Sequence, residues 1–208
     1  KRRFTLESRQ LRKELSDSSK IIKKLAGSSK IMLKLKEDIL DYSQSDAFVL
    51  IEGETGSGKT LVAHALHAVS QNMARAIITV HCSAYDEATL SRRLFGPIEE
   101  KDEFLPAFEE AKGGTLILED IETITTELQG KLLDKLVALE NSLETRLITI
   151  SNHSSPTFAK KILRDDLYFR LSSLKISVPA LRKRGNDILD LFSQYALSFS
   201  EEYGCSPP

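Results

Sequence analysis

The sequence has little of what marks a secreted, membrane-bound or nucleic-acid-binding protein. It has only two cysteines, Cys82 and Cys205, which are far apart and show no metal-ligand spacing. We therefore expect free thiols in a reducing cytoplasm. The formal net charge of -1 provides no signal for nucleic acid. No apolar run approaches the roughly 18 residues that a membrane-spanning helix needs, so we expect a cytoplasmic protein without a membrane partner.

The chain also lacks a starting methionine, a signal peptide and internal repeats. It begins at Lys1, so we expect a fragment of a longer protein. Its 208 residues are enough for one sizeable domain, or for one domain with an appendage. The hydrophobic fraction of 41% and the charged fraction of 28% are those of an ordinary globular protein.

Apolar runs alternate with amphipathic segments along most of the chain. Five runs predict strands: AFVLIEG, AIITVHC, GTLILED, RLITISN and LKISVPAL. The segments between them predict helices, and Ser28 or Ser29 is expected to cap the helix that begins near Lys30. This alternation predicts an α/β fold with a five-stranded parallel sheet that helices cover on both faces.

One octapeptide, GETGSGKT, matches the phosphate-loop pattern G-x-x-x-x-G-K-[ST] between a predicted strand and a predicted helix. Glycines let the backbone approach phosphates closely, and N–H groups at the helix start bind the anion. Lys59 is expected to reach the β- and γ-phosphates, and the Thr60 hydroxyl to bind Mg²⁺. A chance glycine-rich turn is the alternative. The predicted phosphate-binding residues are Gly53, Glu54, Thr55, Gly56, Ser57, Gly58, Lys59 and Thr60.

Two acids end the third predicted strand, in the run LILED. A nucleotide-binding sheet needs a carboxylate near the metal ion, in addition to the phosphate-loop hydroxyl. Either Glu119 or Asp120 is expected to orient the magnesium shell, while the other acid polarises a water molecule. A solvated strand end without a metal is the alternative.

These motifs, in this order, resemble the AAA+ central domain of bacterial enhancer-binding proteins, the sigma-54-dependent transcription activators. The nearest likeness is to the nitrogen and C4-dicarboxylate type of two-component response regulator. The resemblance implies a three-layer P-loop AAA+ fold with a truncated helical lid, ATP and Mg²⁺ as ligands, and self-assembly into a ring or a dimer. It covers about residues 20–200 and also rests on LFG, AFEEAKGGTLILEDI, LQGKLL, ITISN, LRDDLYFRL and VPALRKRGNDI.

The resemblance implies roles for individual residues. Glu119 falls on the acid that binds Mg²⁺, and Asp120 on the acid that activates water. Asn152 falls on the sensor of the γ-phosphate. Arg164 and Arg170 fall on arginines that act on the nucleotide of a neighbouring subunit, where a planar, permanent cation suits phosphoryl charge. The residues that match the adenine-pocket segment are Leu25, Ala26 and Gly27.

The resemblance also implies how the chain is organised. A linker helix is expected at 1–25, where a short dimerising helix or a solvated terminus is the alternative. The AAA+ ATP-binding domain is expected at 26–195, and the start of a truncated lid at 196–208. RNA polymerase with its sigma factor is an expected partner. DNA is expected to bind only through a domain absent from this chain.

Two departures from the family pattern concern the predicted catalytic edge of the sheet. The acids run Glu119 then Asp120, whereas the family has Asp then Glu, so the second acid is one methylene shorter. Since small positioning errors cost rate, ATP hydrolysis stays open. His81-Cys82 stands where the family has Asn-Cys, and His81 either hydrogen-bonds an acid or is an ordinary strand-end histidine.

Two further departures concern the surface that contacts polymerase. The family's Gly-Ala-Phe-Thr-Gly-Ala loop, which contacts sigma-54, is replaced by PIEEKDEF, and the connection VALENSLET is also short. We therefore favour a regulator that binds ATP and assembles without remodelling sigma-54 polymerase. A working ATPase activator with a divergent loop is the alternative. A small-molecule kinase would need an acceptor site with a general base, which we do not find.

Overall fold

The computed structural model describes residues 22, 25–71, 73, 75–96, 105–142, 145–152 and 162–204. Their helices are α1 (Lys30–Ser43), α2 (Lys59–Ala68), α3 (Glu87–Phe95), α4 (Ala107–Glu110), α5 (Thr126–Ser142), α6 (Asp165–Leu171) and α7 (Asp187–Tyr203). The strands are β1 (Val49–Gly53), β2 (Ile77–His81), β3 (Thr115–Glu119), β4 (Arg146–Ser151) and β5 (Leu174–Val178). Of the expected linker helix at 1–25, only residues 22 and 25 are among the described residues, and the replacement segment PIEEKDEF lies outside them.

The five strands form one parallel sheet in the order β2-β3-β4-β1-β5. Parallel strands need helical crossovers, so helices cover both faces and the strands are buried on both sides. Every residue of β1 and β4 is buried, which explains why their sequences are nearly continuous apolar runs. The predicted α/β fold with a five-stranded parallel sheet is confirmed.

Two apolar clusters fill the spaces on either side of the sheet. On one face, α1 and α2 pack against alternate strand residues, including Ile51 and Ile148. On the other face, residues of α3, α4, α5 and α6 pack against Leu50 and Leu147. The two-residue period of a strand sends successive side chains to opposite layers, and this produces the predicted three-layer arrangement.

Local signals place the helix starts. Ser29 caps α1, because its side chain accepts a hydrogen bond from the backbone N–H of Met32. Such a cap typically stabilises a helix by about 1 kcal/mol. Of the two predicted caps, Ser29 is the one that the structure has. The proposed domain boundary at 195 falls inside α7, which continues without interruption to Tyr203.

Because all five strands are parallel, their carboxyl ends meet at one edge of the sheet. In the register of β2 with β3, His81 lies opposite Glu119. In the register of β1 with β4, Glu52 lies opposite Ser151, so the phosphate loop follows beside Asn152. None of the described helices combines the length and apolarity that crossing a membrane requires.

Candidate functional site

The phosphate loop joins β1 to α2 at the carboxyl edge of the sheet. Gly56 and Gly58 have φ values of 77° and 96°, a left-handed conformation in which a side chain would be strained. Gly58 is also the N-cap of α2, so the helix begins immediately after the phosphate loop. The free N–H groups there make this helix start a suitable site for phosphate.

Lys59 is the first residue of α2 and only 6% exposed. Its Nζ donates a hydrogen bond to the backbone carbonyl of Glu54, at 2.9 Å. Burial lowers the pKa of the Lys59 ammonium, while three nearby carboxylates act in the opposite direction. The lysine thus lies under the phosphate loop, between the loop and the acids that follow β3.

Glu119 is the last residue of β3, and its side chain is largely buried. Its Oε2 lies 3.4 Å from His81 Nδ1. Its Oε1 is buried and has no hydrogen-bond partner among the described residues. An unpaired buried carboxylate oxygen is costly unless a cation approaches it. Together with the Thr60 hydroxyl, Glu119 offers the hard oxygen ligands that suit Mg²⁺.

Asp120 follows the strand in a left-handed conformation, with a φ of 57°. It is the one residue other than glycine with positive φ in the described part of the chain. Its Oδ1 accepts a hydrogen bond from Asn152 Nδ2, and its Oδ2 accepts one from Ser83 Oγ, each at 2.5 Å. Both carboxylate oxygens are therefore engaged, one toward the end of β4 and one toward the end of β2.

Asn152 connects the acids to the phosphate loop. Its Oδ1 accepts a long hydrogen bond of 3.4 Å from Thr55 Oγ1, and its backbone N–H donates to Glu122 Oε1 at 3.0 Å. The structure therefore brings together Asn152, the phosphate loop and both predicted acids. Sequence reasoning missed Ser83 and Glu122, although Glu122 closes the run LILEDIE, where a third acid was visible.

Cys82, which lies beside this edge of the sheet, is expected to be unreactive as a thiol. Cys82 is a buried free thiol. Burial is the main cause that raises its pKa to about 12, and the charge of Asp120 acts in the same direction. A thiol with so high a pKa is not a nucleophile at neutral pH. Cys205 lies outside the described residues.

A cavity of about 400 Å³ adjoins the phosphate loop. Leu25 and Ala26, two of the three residues expected at an adenine pocket, line it. Gly27 instead packs beside the start of α7: its φ is 123°, and a Cβ there would lie 2.5 Å from Asp187 Oδ2. Residues Gly56, Ser57 and Gly58 of the phosphate loop form the other end of the same cavity.

The segment that follows β5 contacts the phosphate loop, which sequence reasoning did not predict. Arg184 is 7% exposed, and it donates to the Pro179 carbonyl at 2.8 Å and to the Ser57 carbonyl at 2.5 Å. Burial lowers the pKa of its guanidinium, against the charge of Asp187. Arg182 makes an exposed bidentate ion pair with Glu54. The motif VPALRKRGNDI contained these residues, but its local pattern indicated no partner.

The two arginines expected to act across a subunit boundary lie on α6. Arg164 stands at its N-cap, and Arg170 in its last turn. The Arg164 guanidinium pairs with Asp166 at 2.8 Å and is partly exposed. The hydrogen bond with Asp166 is the main cause that raises the pKa of Arg164. These contacts belong to the surface of α6 rather than to the network around Asn152.

Comparison with known proteins identifies the family. The family model described as the sigma-54 interaction domain matches residues 25–177. The chain belongs to the sigma-54 interaction domain family. The predicted relationship to the central domain of sigma-54-dependent activators and the predicted P-loop AAA+ fold are confirmed.

Two curated relatives of this sigma-54 interaction domain are bacterial transcriptional regulatory proteins. It is 34% identical to the C4-dicarboxylate transport transcriptional regulatory protein DctD of Pseudomonas aeruginosa, over 99% of this chain and 48% of DctD. It is 36% identical to the transcriptional regulatory protein ZraR of Salmonella typhimurium, over 80% of this chain and 41% of ZraR. The chain thus spans about half the length of the curated relatives it matches.

Solved structures give the same result for the fold. The structure of NtrX from Brucella abortus in complex with ATP has a TM-score of 0.79 and 30% identity, over 97% of this chain and 49% of NtrX. The P-loop NTPase domain of a sigma-54 transport activator from E. coli has a TM-score of 0.57 over 74% of this chain. Its identity is 22%, so this second likeness concerns the fold alone.

Proposed function

We propose that this sigma-54 interaction domain binds ATP with Mg²⁺, and that nucleotide binding controls its self-assembly without remodelling of sigma-54 polymerase. The observation that carries the first part is the intact phosphate loop beside a cavity of about 400 Å³. The ATP complex of NtrX, a relative of the same fold, supports it. The proposed ATP-binding domain extends over 26–195, with a linker before it and the start of a lid after it.

The residues of the site divide the binding of the nucleotide between them. The N–H groups of the loop and of the α2 N-terminus receive the phosphates. Lys59 exchanges its hydrogen bond with the Glu54 carbonyl for the more strongly charged phosphate oxygens. Thr60 and Glu119 bind the magnesium ion, which neutralises phosphate charge. Leu25 and Ala26 contact the base.

Hydrolysis depends on Asp120, and two features of its environment oppose it. A general base must come within about 3 Å of the proton that it removes. Asp120 is shorter than glutamate, and its two oxygens are hydrogen-bonded to Ser83 and Asn152. The proposal therefore treats ATP mainly as a ligand that shifts an equilibrium between assembly states. Arg164 and Arg170 contribute to the subunit contact.

The missing polymerase-contacting loop supports the second part of the proposal. The alignment with DctD of Rhizobium meliloti is 225 positions long, whereas this chain has 208 residues. That relative therefore carries at least 17 residues without a counterpart here. Shortened loops are the places where such losses are tolerated. An acidic segment such as PIEEKDEF is also a poor chemical substitute for a small apolar loop.

Sedimentation velocity of the full chain, with and without a non-hydrolysable ATP analogue, tests the proposal. We expect the analogue to bind and to increase the sedimentation coefficient. Lys59→Ala removes a charge-assisted contact with phosphate, so we expect nucleotide affinity to fall by about 10- to 100-fold. The same variant should abolish the change in sedimentation. A wild-type chain that binds no nucleotide, or binds it without assembling, would contradict the proposal.

The family description itself favours one other function, an ATPase activator of sigma-54 polymerase. Transcription from a sigma-54 promoter, with a sigma-70 promoter measured beside it, separates the two. Activation that requires ATP hydrolysis would replace the proposed function with this one. Binding and assembly without activation would support the proposal.

A further inference from the structure

The cavity has a phosphate end and a base end. Gly56, Ser57 and Gly58 form its phosphate end, because they belong to the phosphate loop. The base must then lie at the far end, between the Leu25–Ala26 segment and α7. Most of the lining there is apolar, as in a typical pocket for a flat ring, so the few polar side chains determine which base is accepted.

One face of α7 forms the wall of the base end. Residues Leu191, Gln194, Tyr195 and Ser198 line the cavity at spacings of three and four, the spacing of one helix face. Tyr195 and Ser198 provide hydroxyl groups, and Gln194 provides the one amide among the described residues that line the cavity. An amide carries donor and acceptor groups side by side.

Contacts at the start of α7 fix the position of this helix relative to the rest of the site. Asp187, which is 1% exposed, accepts hydrogen bonds from the backbone N–H groups of Ser28 and Ser29, at 2.9 and 2.8 Å. Burial opposes ionisation of Asp187, but the hydrogen bonds from Ser29 and Ser28 outweigh it and lower its pKa. Arg184 binds the Ser57 carbonyl from the same segment. Both ends of the cavity are thereby tied to α7.

Of the other polar lining groups, the hydroxyls of Tyr195 and Ser198 each offer a single oxygen rather than a donor and an acceptor side by side. Arg184 is engaged elsewhere and lies, like Ser57, at the phosphate end. Arg184 donates hydrogen bonds from Nε to the Pro179 carbonyl and from one Nη to the Ser57 carbonyl. Ser57 belongs to the phosphate loop. An adenine edge presents the 6-amino donor beside a ring-nitrogen acceptor, and glutamine pairs with such an edge through two hydrogen bonds. A site that hydrogen-bonds a ligand group rejects the analogue that lacks it.

We infer that Gln194 is a specificity-determining residue, which hydrogen-bonds the 6-amino edge of adenine in the bound nucleotide. This inference rests on the proposed ATP binding and adds the residue of the chain that selects the base.

Calorimetric titration of the full chain tests it with two diphosphates, so that hydrolysis plays no part. One is ADP, and the other is the purine nucleoside diphosphate that lacks the 6-amino group. Gln194→Leu should weaken ADP binding by about 3- to 10-fold, the value of one or two net hydrogen bonds. It should weaken binding of the analogue less than binding of ADP, because the analogue keeps the ring-nitrogen acceptor but lacks the 6-amino donor and so loses one hydrogen bond instead of two. A merely structural role would weaken both ligands equally.

Gln44→Leu is the matched control, because it makes the same chemical change at the exposed end of α1, away from the cavity. It should bind both ligands as the wild type does. Equal losses for both ligands in Gln194→Leu, or no loss of ADP affinity, would overturn the role of Gln194. A wild-type chain that binds neither ADP nor ATP would instead overturn the proposed function.

Discussion

Asp120 shows how one residue type is matched to one backbone conformation. Its φ of 57° lies in the left-handed region, which aspartate and asparagine enter more readily than other residues with side chains. Its short side chain also suits hydrogen bonds to Ser83 and Asn152. The order Glu119-Asp120 therefore has a local structural reason, in addition to any effect on hydrolysis.

The double variant Glu119→Asp with Asp120→Glu tests this reasoning. We expect it to raise ATP turnover, because the second acid gains a methylene and its reach toward water. We also expect the free energy of unfolding to fall by about 1 kcal/mol, since glutamate suits a left-handed backbone less well. Turnover assays and urea denaturation measure the two effects, with Glu119→Asp alone as the control. Unchanged turnover would show that the order of the acids does not limit hydrolysis.

At the scale of elements, a buried ion pair joins β1 to β5 and α6. Glu52, one residue before the phosphate loop, is 1% exposed, and its Oε2 lies 2.6 Å from Lys175 Nζ. The same ammonium donates to the hydroxyl of Tyr168 at 3.2 Å. The other oxygen of Glu52 is buried without a hydrogen-bond partner among the described residues. Lys175 is thus the main compensation for a charge in the core.

Lys175→Met should destabilise the fold because it leaves the Glu52 carboxylate buried without its cation. Loss of one partner of a buried pair typically costs about 3–5 kcal/mol, and the partial exposure of Lys175 favours the lower end of that range. Urea denaturation measures the change. Adding Glu52→Gln to Lys175→Met should recover most of the loss. If Lys175→Met alone is as stable as the wild type, the pair does not compensate the buried charge.

At the scale of the whole molecule, a buried histidine makes stability depend on pH. His67 of α2 is 6% exposed, and its Nδ1 lies 2.9 Å from Thr115 Oγ1 of β3. Burial is the main cause that lowers its pKa, and His64 and Arg146 add to it. The unfolded chain therefore takes up this proton at a higher pH than the folded chain does. The contribution of neutral His67 to the free energy of unfolding is therefore fully present above about pH 6.5 and decreases as the pH falls below that value.

Urea denaturation at pH 7.5 and pH 5.5 measures this dependence. We expect the wild type to lose up to about 1 kcal/mol from this group between the two values, and His67→Gln to show a flatter profile. His64→Gln, a change at an exposed position of the same helix, is the control and should keep most of the slope. An identical slope in wild type and His67→Gln would show that this histidine is not the cause.

Much of the fold could be predicted because its signals are local. The apolar runs that predicted five strands contain all five strands of the sheet. Ser29 could be proposed as a cap because it lies only three residues before Met32, whose backbone N–H donates the capping hydrogen bond to it. Although their roles stay predictions, the family motifs also named several of the residues that gather at the sheet edge, namely Glu119, Asp120 and Asn152. Ser83 could not be found in this way, because a serine two residues after a strand has no distinctive pattern.

The fold class, the phosphate loop and the family could be predicted from the amino-acid sequence alone, because the loop is eight consecutive residues and the other two follow from the order of such short local patterns along the chain. Only the tertiary structure decided which distant residues meet. Asp187 binds Ser28 and Ser29 across about 158 positions, and Arg184 binds the Ser57 carbonyl across 127. Such pairs depend on how helices pack against the two faces of the sheet. The residues next to a side chain in the sequence do not indicate which distant residue it will contact after this packing.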